Sequence, residues 1–215
     1  MRTAIIVSLL ALGMVSTPAW GKEPPQPSFA PQRPFAECVA DAQSLLALSF
    51  EDFDQGVQPV AGGPREEWGW RPIARQPGCE TAAADLISQW RARHGEELPA
   101  MLRSFMAFHE GQVRAGGGDH AAAIALIEES AQGSFGDEAW QAYVAALLAF
   151  LQHDREALLA ARERLLAVPE PDNWAERQRQ FREEAGQEMA WPRNIEATDT
   201  LVACFGKAYP LWGKC

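Results

Sequence analysis

The sequence predicts an all-α fold, and three observations predict it. Apolar residues recur at i, i+3, i+4 and i+7 along most of the chain, the period of a helix that buries one face. Strand-like alternation over five or more residues is missing. Three stretches, WGWRPIARQPGCETAAADLISQW, HEGQVRAGGGDHAAAIALIEES and YVAALLAFLQHDREALLAARERLL, each read as helix, tight turn, helix. An apolar fraction of 47%, with eight Trp and ten Phe, suits a globular core, so one domain is expected over 35–215.

The elements follow in order. The chain opens MRTAIIVSLLALGMVSTPAWGKEPP, where Arg2 precedes an apolar run from Ala4 to Val15. Ala19 and Gly21 stand at the −3 and −1 positions before Lys22, the layout of a secretory signal peptide over 1–21. Cleavage after Ala19 is the alternative. The run is shorter than the about 20 residues a membrane span takes. Residues 22–34, KEPPQPSFAPQRP, are proline-rich and predict an extended, poorly ordered lead-in. A helix is expected over 35–46, with Phe35, Cys38, Val39, Ala42, Leu45 and Leu46 on one face. After a Gly- and Pro-bearing break come three helix pairs, 64–75 with 80–94, 99–115 with 119–131, and 138–152 with 154–168. Asp119 is placed to N-cap its helix. Asn173 and Glu176 have capping-box spacing and open a helix to about residue 189. A last helix is expected over 195–205, so that 173–206 caps the array.

Charge and cysteine content narrow the function classes. The net charge is −10, and loss of a segment containing Arg2 makes it one unit more negative. Such a surface repels nucleic acid and anionic lipid, so neither is an expected partner, and no membrane insertion is expected after signal cleavage. The four cysteines, Cys38, Cys79, Cys204 and Cys215, predict two disulfides in an exported chain. Three pairings are open to four cysteines; Cys38–Cys79 with Cys204–Cys215 is the one expected. There is no CxxC, and the spacing is too wide and irregular for a zinc site.

The three helix–turn–helix stretches share small residues at matched places. Ala83-Ala84-Asp85-Leu86-Ile87 corresponds to Ala123-Ile124-Ala125-Leu126-Ile127 forty residues on, and Ala157 follows Ala123 by thirty-four. Gly111, Gly118 and Ala123 stand where close helix packing and a left-handed turn need them. With Ser130, this pattern resembles a degenerate tetratricopeptide repeat, whose period is about 34 residues. The resemblance implies an α-solenoid of antiparallel helix pairs over about 64–94, 99–131 and 138–168, with flanking helices. It departs from the family at Glu110 and Arg114, where large apolar residues are preferred. It departs again at Gln152-His153, which replace the turn glycine, and at Arg164, where a small residue is usual.

Local signatures for chemistry are absent. Gly116-Gly117-Gly118 is followed by Asp119-His120 rather than Lys-Ser or Lys-Thr, and no strand precedes it, so it is a helix turn and not a phosphate loop. His109-Glu110 begins like HExxH, but Val113 holds the second His position. His109 therefore reads as a satisfied, partly buried histidine. His94 ends a helix, and His120 and His153 sit at turns. SFEDFDQG places Glu51, Asp52 and Asp54 like the start of a calcium loop, but Gln55-Gly56 comes early and the closing Glu is missing. It reads as a solvated acidic turn over Phe50 and Phe53. No cofactor is called for.

A helical-repeat array exposes a face lined by first helices, and Arg and aromatic residues are the usual anchors on such faces. The expected binding residues are Trp70, Arg71, His109, Gln112, Trp140 and Tyr143. The leading expectation is a periplasmic or secreted, non-catalytic scaffold that binds a protein or peptide. An envelope enzyme or enzyme inhibitor on a helical scaffold is the alternative, with self-association behind it.

Overall fold

The computed structural model describes residues 29–55, 57–58, 66–132, 136–186, 188–213 and 215; the expected signal peptide lies outside them. The fold is all-α, with eleven helices among the described residues. A two-residue antiparallel ladder, β1 (Val57–Gln58) with β2 (Glu66–Glu67), is the one extended pairing among them. Four short helices come first: α1 (Phe35–Cys38), α2 (Ala42–Leu46), α3 (Phe50–Phe53) and α4 (Arg71–Ala74). Five longer ones follow: α5 (Glu80–His94), α6 (Ala100–Gly116), α7 (His120–Gln132), α8 (Glu138–Leu151) and α9 (Arg155–Leu166). α10 (Trp174–Ala185) and α11 (Ile195–Ala203) close the chain.

The N-terminal third departs from expectation. The helix expected over 35–46 is two helices, because Val39 is extended and Asp41 restarts the chain by accepting the Ser44 N–H. The helix expected over 64–75 is a single turn, α4. Glu66 and Glu67 are taken up by the ladder, and Pro72 lacks an N–H and suits only a first turn. Of the expected lead-in, 22–28 lie outside the described residues; 29–34 carry no helix and are tied down rather than poorly ordered. The Arg33 N–H donates to Gly78 O at 2.6 Å, and Gln32 Oε1 accepts the Thr81 N–H at 2.9 Å, supplying α5 with a cap from 49 residues away. At the other end, α10 stops at Ala185 before a left-handed Gly186 rather than reaching 189. The capping box does not form: Asn173 makes no side-chain cap bond, and Glu176 pairs with Arg179 at 2.6 Å.

Two hairpins carry the core. α6 packs on α5 and α7, α8 on α7 and α9, and α11 on α8 and α9. The α6–α7 and α8–α9 turns are built alike. In the first, the Gly118 N–H donates to Ala115 O and the Asp119 N–H to Arg114 O. In the second, the His153 N–H donates to Phe150 O and the Asp154 N–H to Ala149 O. Both are Schellman motifs, and both need a left-handed residue after the C-cap. Gly118 supplies it at φ 90°, and His153 adopts it at φ 58° without the help of a missing Cβ. Asp119 and Asp154 then cap the second helices. These turns lie thirty-five residues apart, so the equivalence of Ala157 with Ala123 is off by one. Ala157 is exposed, while Leu158 and Leu165 hold the buried places of Ala123 and Ser130. Where α6 meets α7, a Cβ on Gly111 would lie 2.8 Å from the Ile127 side chain and 3.1 Å from Ala123 O, so only glycine allows that approach.

Polar ties reinforce α5, α6 and α7. Glu110, almost wholly buried, pairs with Arg91 of α5 and with Arg114 one turn on at 2.9 Å. Arg91 reaches Glu129 of α7 at 2.7 Å, and Arg114 reaches Asp85 of α5 at 3.2 Å. The two residues that departed from the repeat pattern therefore form one inter-helix charge network. Both expected disulfides are present: Cys38–Cys79 ties α1 to the start of α5, and Cys204–Cys215 folds the tail back on α11.

Reduction of the purified protein is expected to raise its intact mass by about 4 Da, two hydrogens per disulfide; an unchanged mass refutes the pairs. His153→Gly should raise stability by about 0.5–1 kcal/mol by removing the left-handed Cβ cost. Gly118→Ala should lower it by about 1–2 kcal/mol, since the Cβ would also lie 2.9 Å from Phe29. Urea unfolding midpoints check both.

Candidate functional site

α6 runs through the middle of the molecule, and one stripe along it, Phe105, His109, Gln112 and Gly116, meets a different neighbour at each step. The spacing of four, three and four residues keeps all of them on one face.

At His109 the neighbour is Asp54, which directly follows α3 and is fully buried. A buried carboxylate is tolerable only if hydrogen-bonded and faced by positive charge. The Trp70 Nε1–H donates to Oδ1 at 3.0 Å, His109 Nδ1 lies 2.7 Å from the same oxygen, and Arg71 Nη1 lies 3.8 Å from it. The Gln55 side-chain amide donates to Oδ2. Burial pushes the Asp54 carboxyl up, but the His109 and Arg71 charges and the hydrogen bonds from His109 and Trp70 outweigh it and hold the group below its ordinary value of 3.8. The expectation of a solvated acidic turn is thus corrected at Asp54, although Glu51 and Asp52 are exposed and Phe53 packs beneath. A hydrogen on Nδ1 is the one His109 directs at Asp54. Its ring packs against Phe105 at 4.3 Å and Trp70 at 5.6 Å, leaving the side chain 13% exposed.

At Gln112 the neighbours are two tyrosines. The amide Nε2 donates to Tyr143 OH of α8 at 3.3 Å and to Tyr209 OH of the C-terminal tail at 3.0 Å. Burial pushes the Tyr143 phenol up to about 12, and burial with the neighbouring Tyr143 pushes Tyr209 well above 10, so both stay neutral. At Gly116 the neighbour is Leu211 of the same tail. Trp212 stacks on Trp70 at 6.3 Å, lies under the Arg75 guanidinium at 4.0 Å, and donates its indole N–H to Ala74 O at 3.4 Å.

At Phe105 the stripe borders a cleft. A cleft of about 500 Å³ lies between α6, α8 and the chain around α11. Phe105, Trp140, Phe181, Met189 and Ile195 line it, with Arg193 and Glu196 also present. Arg193 is held by Asp137 at 2.6 Å. An open, aromatic-lined cleft of this kind suits apolar side chains of an incoming segment better than a small polar substrate.

The six residues expected to line one binding face are therefore divided. Trp70 and Tyr143 are buried at 4% and 6% exposure with the tail in place, Trp70 in part by Trp212. Arg71 and His109 are turned to Asp54, and Gln112 to the tyrosines. Trp140 alone of the six lines the open cleft. Sequence reasoning missed Asp54 and the tail residues Tyr209, Leu211 and Trp212. Asp54 had a signal: with Phe50 and Phe53 it stands at i+4 and i+1 on the inward face of a short helix. The tail had none, because its contacts lie about a hundred residues away. His94 is also engaged, with Nε2 2.8 Å from Leu46 O and its ring stacked on Trp90. Among the described residues no cluster of three His, Cys, Asp or Glu could hold a metal ion, and no helix is long and apolar enough to cross a membrane.

Asp54→Ala is expected to cost about 3–5 kcal/mol, since it removes the buried carboxylate on which Trp70, His109 and Arg71 converge. Because the folded value of Asp54 is depressed, its contribution is complete above the unfolded value of 3.8 and is lost as pH falls through the lower folded value. Asp54→Asn should remove that part of the acid unfolding limb, read from urea midpoints across pH 2–5. An unchanged limb would mean that Asp54 is not the titrating group. No protein-family model, curated protein or solved structure matches the chain, so the arrangement of these side chains is what bears on its role.

Proposed function

We propose that the chain is an exported, non-catalytic, tetratricopeptide-like scaffold that binds an extended protein or peptide segment in the cleft between the first helices of its two hairpins. The observation that carries this reading is the cleft itself, where Phe105 of α6 and Trp140 of α8 stand on facing helices. Matched Schellman turns thirty-five residues apart support the repeat reading. Two disulfides, which persist in oxidising compartments, support a periplasmic or extracellular home. The net charge of −10 argues against nucleic acid as the ligand.

A photo-crosslinking residue in place of Phe105 should give one or a few discrete adducts in the exported fraction of the native cell. The same residue at exposed Ala160 on α9 should give none. Equal labelling at both positions, or no adduct at 105, overturns the proposal.

A second reading, an envelope enzyme, is favoured by the Asp54–His109 pair. A carboxylate on Nδ1 fixes the orientation of the imidazole and leaves Nε2 as its other nitrogen. Under that reading His109→Gln abolishes turnover of an envelope substrate while the adduct at position 105 persists. Turnover that survives the substitution excludes it.

A further inference from the structure

The C-terminal tail is seated on the molecule in an unusual way. Residues 209–212, Tyr-Pro-Leu-Trp, lie across α4, α6 and α8, the surface whose sequence pattern pointed to binding. Their contacts to it are made by side chains. Tyr209 meets Gln112, Leu211 covers Gly116, and Trp212 meets Trp70, Arg75 and the Ala74 carbonyl. The backbone hydrogen bonds of the segment are local: Lys207 N–H to Cys204 O, Leu211 N–H to Tyr209 O and Gly213 N–H to Pro210 O. Tyr209 is buried with the α8 side chains and meets Phe150 at 6.0 Å, yet no backbone hydrogen bond ties the segment to these helices among the described residues. A partly open pocket of about 170 Å³ adjoins the segment, bounded by Gln112, Tyr143, Leu201, Tyr209 and Leu211.

What keeps the segment in place is covalent. Cys204 is buried at the end of α11, Cys215 is exposed at the chain terminus, and their bond closes the loop that contains the segment. A tether this short gives the segment a high effective concentration at its site, so weak side-chain contacts suffice to fill it. The same contacts would be available to a segment of like chemistry from another polypeptide if the tether were loosened.

We propose that the face formed by Trp70, Arg75, Gln112, Gly116 and Tyr143 is a segment-binding site whose resident occupant is the chain's own residues 208–213. An extended aromatic–Pro–aliphatic–aromatic segment of a partner protein takes the same site in competition with that tail, and the Cys204–Cys215 disulfide sets the threshold. The occupant's chemistry follows from the site. Gln112 donates to a phenol oxygen, flat Gly116 makes room for an aliphatic side chain, and the Trp70 ring with the Arg75 guanidinium holds an indole by stacking and cation–π contact. Proline between them lowers the entropy lost on docking. This inference concerns a different surface from the Phe105–Trp140 cleft and stands or falls independently of it.

The test uses the full chain and a labelled hexapeptide, Ala-Tyr-Pro-Leu-Trp-Gly, with a scrambled control, read by fluorescence anisotropy. The disulfide-intact protein should bind it weakly. Cys215→Ser, which loosens the tether, and the triple variant Tyr209→Ala, Leu211→Ala, Trp212→Ala, which empties the site, should each bind it about 10–100-fold more tightly. Adding Gln112→Ala to either should reverse the gain. If both variants keep the native far-UV spectrum and bind no better than the parent, or bind the scrambled peptide equally, the proposal is overturned. Should the triple variant fail to fold, Cys215→Ser decides. Excess hexapeptide must speed proteolytic cleavage within 207–213 several-fold, and an unchanged cleavage rate refutes a displaceable tail.

Discussion

The buried carboxylate of Asp54 is the constraint on which the N-terminal half of the molecule depends. A charge taken wholly out of water must be met by donors and counter-charge. Here they come from three separate parts of the chain: Gln55 beside it, Trp70 and Arg71 at α4, and His109 in the middle of α6. Apolar contact alone is non-directional and would allow α3 and α4 to settle on α6 in many ways. The carboxylate admits few, because each donor must point at one of two oxygens. The short helices α1 to α4 are too brief to be stable on their own. They are held by this convergence, by the Cys38–Cys79 bond and by burial of Phe53 against Trp90 at 4.9 Å.

A second buried charge works in the same sense on the other side of α6. Glu110 gathers Arg91 and Arg114, and through them Asp85 and Glu129, so that α5, α6 and α7 share one network. His109 and Glu110 are adjacent in sequence and face opposite partners, so α6 is fixed in rotation from two directions. The α8–α9 hairpin has no comparable network among the described residues. Its interior is nearly all Ala, Leu and Phe, and its buried tyrosine is satisfied by Gln112 and thereby tied to α6. The two hairpins turn alike but are pinned differently; along α6, Phe105 borders a cleft while Gln112 is met by Tyr143 and the tail's Tyr209.

The legible parts of this chain were those governed by local rules. Helices from 80 to 168 fall close to where the apolar period places them, and Asp119 caps its helix as its position suggests. Gly111 and Gly118 are small for the reasons the pattern gave, close approach and a left-handed turn. The illegible parts were those where a distant group overrides local preference. Pro72 and the pairing of Glu66 with Gln58 cut a periodic stretch down to one turn. Trp70 and Tyr143 look like interface anchors in sequence, yet each is buried, with its one hydrogen-bonding atom met by a side chain 16 or 31 residues away.

The sequence by itself determined the helical class, the turn positions of both hairpins and the presence of four cysteines able to pair. These follow from period, turn chemistry and composition, which act over a few residues. Only the tertiary structure decided that Asp54 is buried, that Glu110 and Arg114 are a clamp, and that the tail covers half of the expected binding face. Each of those depends on groups 16 to 138 residues apart meeting in space. A carboxylate reads the same in sequence whether water or a histidine lies beside it; what differs is the dielectric and the donors around it, and those exist only once the chain has folded.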